Sequence, residues 1–98
     1  MDSPIDSARE ANIEFVYHIF AEADAKEMVE KVRSLGFGTS MKFEPNKLAD
    51  VWVVRCRVRM MPTSESIDSV RNKLCDLADE YENWFLGWGI LREEVDNV

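Results

Sequence analysis

Arg55, Arg57 and Arg59 stand at alternate positions of one stretch, and their spacing invites chemistry. On a strand, such positions share one face about 6.5–7 Å apart, so three guanidinium groups would line up as a strip. Two readings of the strip stand: pairing with Glu14 and other surface acids, or docking of an acidic protein segment. His18 is the one histidine, and no Cys, Ser or carboxylate lies at motif spacing from it, which fits structure better than catalysis. Asp79-Glu80 and Glu93-Glu94 are neighbours in sequence; adjacent positions diverge on helices and strands, so neither pair resembles an acid–base couple. Cys56 and Cys75 fall on different expected elements without CxxC spacing, and are expected to be reduced and packed. No catalytic, cofactor-binding or metal-ligating residue is assigned, and the chain is not expected to be an enzyme.

The second feature is apolar. Trp84-Phe85-Leu86-Gly87-Trp88-Gly89-Ile90-Leu91 carries no charge and is apolar on both alternating faces. A strand half-buried against helices alternates apolar and polar residues instead. At strict period two, Phe85, Gly87, Gly89 and Leu91 share one face, the glycines leaving room for closely packed helices. Trp84, Leu86, Trp88 and Ile90 then face away from the helices. A chain of 98 residues can cover one sheet face with its own helices but rarely both. The second face asks for an outside partner. The expected protein-interaction residues are therefore Trp84, Leu86, Trp88 and Ile90, with Arg55, Arg57 and Arg59 alongside, because aromatics and arginine anchor interfaces. A bulge would invert this parity and exchange buried for open residues.

Composition narrows the partner. With 46% hydrophobic and 10% aromatic residues, the chain reads as one small globular domain. Nineteen Asp and Glu against twelve Lys and Arg give a net charge of −7. That balance disfavours nucleic acids and anionic membranes, which are polyanions themselves, and suits a basic partner surface better. No run approaches the roughly 18 apolar residues of a membrane span. The start, Met1-Asp2-Ser3-Pro4, shows no signal peptide, so a cytoplasmic protein is expected.

The elements that must position these residues follow from periodicity. Asn12 to Phe20 reads as a first strand, with Ile13, Phe15, Tyr17 and Ile19 on one face and Glu14, Val16, His18 and Phe20 on the other. Asp24 and Glu27 fit a capping box, Ala25, Met28, Val29, Val32 and Leu35 repeat at helical spacing, and Gly36 supplies a C-cap. Thr39 to Glu44 alternates as a second strand, whose Lys42 and following Pro45 suit a sheet edge. In a third strand, Val51 to Met60, Trp52, Val54, Cys56, Val58 and Met60 oppose Val51, Val53 and the arginines. After Pro62-Thr63-Ser64, the residues Ile67, Val70, Leu74, Leu77, Ala78 and Tyr81 trace a second helix, which Asn83 breaks before the last strand. A flexible segment is expected over 1–11, a domain over 12–92 and a short polar tail over 93–98.

Strand, helix, strand, strand, helix, strand leads to an α+β fold, the ferredoxin-like βαββαβ plait. It has four strands with one and three central, and two helices on one face. The fold hosts many functions, so residues must decide among them. The first strand-to-helix loop, Ala21-Glu22-Ala23, has neither the thiols of a metal chaperone nor the glycines that cradle an anion or a small ligand. The third strand offers arginines where an RNA-recognition motif places stacking aromatics.

The second half of the chain carries a family resemblance. Ile67-Asp68, the helix through Leu74, Leu77-Ala78-Asp79-Glu80-Tyr81 and then Phe85-Leu86-Gly87-Trp88-Gly89 resemble the RraB family of bacterial protein regulators of ribonuclease E. Leu35-Gly36-Phe37 and the strand starting at Asp50-Val51 fit the same layout, and the similarity spans about Ile13 to Arg92. The resemblance implies a ferredoxin-like fold and a non-enzymatic inhibitor that binds the endonuclease, or its associated RNA-degradation machinery, and alters RNA processing. From the residues alone, a small-ligand-binding or homodimeric sensor domain of the same fold is the alternative.

Overall fold

The computed structural model describes residues 10–45 and 50–91, so most of the segment expected over 1–11 and all of the tail expected over 93–98 lie outside the described residues. Six elements follow in order: β1 (Ala11–Ile19), α1 (Glu22–Ser34), β2 (Gly38–Glu44), β3 (Val51–Met60), α2 (Ser64–Ala78) and β4 (Asn83–Leu91). The strands form one antiparallel sheet of order β2-β3-β1-β4, which is the expected plait with β1 and β3 central.

Alternation on β1 builds the core. Ile13, Phe15, Tyr17 and Ile19 are completely buried and lie opposite Val58, Cys56, Val54 and Trp52 of β3. Directly opposed residues of an antiparallel pair share a sheet face. Ala25, Met28, Val29 and Val32 of α1 join the same cluster, as do Ile67, Leu74 and Ala78 of α2. Both helices therefore pack on this one face.

Local signals set most of the helix ends. Thr63 caps α2, its hydroxyl accepting from the Ser66 amide at 3.2 Å. The Asn83 side-chain amide donates to the carbonyls of Ala78 and Tyr81, tying the end of α2 to the start of β4. Beyond α1, Gly36 takes φ +90°, and the amides of Gly36 and Phe37 donate back to Arg33 and Val32. This is the six-to-one and five-to-two pattern of a left-handed glycine cap. The expected capping box does not form. Helix α1 starts earlier, with Ala21 at the N-cap and no side-chain cap, and Asp24 lies inside the first turn beside Glu22. Its carboxylate there favours the positive end of the helix dipole.

The decisive irregularity is in β4. Val16 pairs with Gly87 but Tyr17 pairs with Phe85, so Leu86 is an extra residue in a β-bulge. Gly87 carries φ +139° at this point, a conformation that L side chains rarely adopt. The bulge inverts parity halfway along the strand. Phe85 packs on the helix side, its ring 4.8 Å from that of Tyr17. Trp88 and Ile90 now oppose Phe15 and Ile13, also on the helix side, while Gly89 and Leu91 oppose Glu14 and Asn12. The expected four-residue stripe of Trp84, Leu86, Trp88 and Ile90 is thus split between two faces, and Gly87 and Gly89 make no room for helices. Gly87→Ala should destabilise the fold by about 1–3 kcal/mol through backbone strain. A Cβ there would meet nothing within 4 Å, so no clash contributes. A urea midpoint at unchanged slope would measure it.

Candidate functional site

The sheet face away from the helices is built from alternate residues of all four strands. Register places Asn12, Glu14, Val16 and His18 of β1 on it, with Val51, Val53, Arg55, Arg57 and Arg59 of β3. Strand β2 adds Ser40, Lys42 and Glu44, and β4 adds Trp84, Gly87, Gly89 and Leu91. The bulged Leu86 lies two residues after Trp84 and before the inversion, so it joins that face. No described helix covers this surface, because both pack on its reverse.

The arginines find the acids that the simpler reading assigned them. Glu14 accepts a hydrogen bond from Arg57 Nε at 3.3 Å and lies 3.8 Å from Arg55, while Arg59 meets Glu10 at 3.6 Å. These exposed pairs are worth about 0–1 kcal/mol each. On β4, Trp84, level with Val53 beyond the end of the ladder, is 64% exposed and Leu86 50%. A shallow depression of about 310 Å³ follows β1 and β4, lined by Glu14 and Val16 and by the whole run Leu86 to Leu91, Trp88 and Ile90 of the other parity included. Its floor is open because the two glycines bring no side chain opposite Val16 and Glu14. At the Trp84 end of β3, Val51 and Val53 are buried despite facing this way, so the exposed apolar area belongs to β4.

The predicted interaction residues are thus brought together only in part. Arg55, Arg57, Arg59, Trp84 and Leu86 share one surface; Trp88 and Ile90 stay half-exposed on the opposite face. Leu91 and the glycine floor were missed at the sequence level. The Gly-Trp-Gly step was the available signal, since glycine inside a strand often marks a bulge or a close approach.

The geometry offers little to catalysis. His18 lies opposite Val53 and Trp84, and Asp79 and Glu80 are exposed. Glu80 instead holds Lys31 at 2.7 Å, and this bond raises the ammonium pKa while the amine lies 5.3 Å from the Tyr81 ring centroid. Tyr17 contacts Cys75 Sγ at 3.3 Å, and burial followed by that contact raises its hydroxyl pKa. Among the described residues, no group of three or more His, Cys, Asp or Glu gathers as a metal site, and no helix is long and apolar enough to cross a membrane.

Burial pushes the Cys56 thiol up to about 12, so the nucleophilic thiolate is suppressed. Iodoacetamide should label Cys56 only after unfolding, as peptide mass spectrometry would report. The neutral thiol's contribution to stability is complete below the unfolded pKa of about 8.5 and is lost as pH rises towards the folded value.

A family model described as "Regulator of ribonuclease activity B" matches residues 2–90. No curated protein matches the chain. Among solved structures, one titled "De novo designed protein Foldit4" is similar, with a TM-score of 0.50 and 12% identity over 88% of this chain and 100% of the other. At that identity the likeness concerns the fold alone.

Proposed function

The chain belongs to the RraB family, regulators of ribonuclease activity, and from that premise we propose that it controls a ribonuclease by binding it, with no chemistry of its own. The enzyme is ribonuclease E, or a component of the RNA-degradation machinery around it, in the bacterial cytoplasm. One observation carries the reading: the open sheet face presents Trp84 and Leu86 to solvent on the same face as the arginine ladder. Exposed aromatic and aliphatic anchors with arginine at their side are the usual energetic centre of an interface. The −7 charge supports a protein over a nucleic acid as the direct contact. Trp88 and Ile90 join the contact where the partner wraps around the outer edge of β4.

The test is cleavage of a fluorogenic RNA by purified ribonuclease E from the source cell, with increasing amounts of the chain. A dose-dependent fall in rate that levels off near one chain per enzyme is the expected result. An unchanged rate, with no co-migration of the two proteins, would overturn the proposal. Light scattering of the chain alone separates the alternative, since a stable dimer would commit the β4 edge to self-association.

A further inference from the structure

The geometry points to a partner of defined chemistry for this surface: an extended, acidic protein segment with a large apolar side chain, laid across β1, β3 and β4. The inference rests on the regulator reading above and adds what the bound segment must look like. Charge complementarity is the first argument. Register puts Lys42, Arg55, Arg57 and Arg59 on the open face against Glu14 and Glu44, with Glu10 on Arg59 at its end, whereas the whole chain has a net charge of −7. The face is locally cationic on an acidic molecule. Glu14 is one carboxylate between two guanidinium groups, so it can neutralise only one of their charges. Guanidinium groups take carboxylates in a two-point fork, and the weak exposed pairs present are readily exchanged for a partner's acids.

The depression beside Gly87 and Gly89 is the second argument. Val16, Leu86 and Leu91 line it with apolar surface, and its Glu14 end adjoins the arginine pair. Strands lie about 4.8 Å apart, so the groove over β1 and β4 is centred about 7 Å from the ladder on β3. Alternate residues of one extended segment share a face about 7 Å apart and span that distance, one filling the groove and another reaching the arginines. A single-stranded nucleic acid fits less well. Trp84 is the one Phe, Tyr or Trp that register places on this face among the described residues, and stacking of successive bases needs several.

A photo-cross-linker tests this directly. The full chain carrying p-benzoylphenylalanine at Leu86 would be expressed in the source cell, irradiated, and its adducts identified by mass spectrometry. The expected adduct is a segment of another protein with more Asp and Glu than Lys and Arg, and with a large apolar residue. A synthetic copy of that segment should bind the purified chain about tenfold more weakly after Arg55→Gln, Arg57→Gln and Arg59→Gln together, and more weakly at high salt. Glu14→Gln removes the competing carboxylate and should tighten binding, which keeps the test decisive if the triple variant misfolds. A basic segment, an RNA, a second copy of the chain, no adduct, or binding indifferent to these substitutions would overturn the inference. Ribonuclease inhibition that survives the arginine substitutions but is lost with Trp84→Ala and Leu86→Ala removes only the acidic-segment assignment. No inhibition by the unaltered chain removes the regulator reading itself.

Discussion

Phe15→Ala should lower the thermal midpoint by about 15–25 °C, the combined effect of losing about 3–5 kcal/mol from a domain this small. Phe15 is completely buried on the central strand β1, between Cys56 of β3 and Trp88 of β4. Truncation leaves a cavity that the surrounding sheet can close only partly, since hydrogen bonds on both sides hold the strand in register. Small domains have about 5–15 kcal/mol of stability, so the variant keeps at best a narrow margin. Thermal unfolding followed by circular dichroism at fixed pH measures the shift. A change of only a few degrees would mean that the centre of the sheet is not the packed core.

The second large effect concerns function. Trp84→Ala with Leu86→Ala should weaken regulation of the ribonuclease about thirtyfold or more, the level at which interface anchors are recognised. Both side chains are mostly or half exposed, and so little of the folded state depends on them. The midpoint of unfolding should stay within a few degrees of the parent. Trp88→Ala supplies the internal comparison, because the bulge turns that residue to the other face. Its effect on inhibition should be smaller than that of the double variant. An equal loss would give the β4 edge as large a share of the contact as the open face. Titrated inhibition curves for the three proteins separate these outcomes.

Much of the fold was legible because alternation and helical spacing report directly which side of an element is apolar. The β1 and β3 patterns and most of the core of both helices follow from that rule, Leu35 at the end of α1 being exposed instead, and the sheet order follows from right-handed connections between them. The start of α1 did not follow, because Asp24 is equally at home as a cap or in the first turn, where the helix dipole favours it. The open sheet face was half legible. Lack of charge over 84–91 marked β4 as unusual, and the ladder of 55, 57 and 59 marked β3.

By itself, the sequence determined that one sheet face would be covered by two helices and that the last strand would be uncharged and apolar on both faces. Which of that strand's residues join the open face was decided by tertiary structure. Pairing of β4 with β1 inserts Leu86 as an extra residue, and Gly87 tolerates the backbone that this requires. A single inserted residue shifts every later side chain to the opposite face, since the strand repeat is two. Trp88 and Ile90 therefore leave the open surface, and Gly87, Gly89 and Leu91 enter it beside Glu14 and its arginines. Periodicity within one segment cannot locate such a shift, because a bulge exists only in the pairing of two strands.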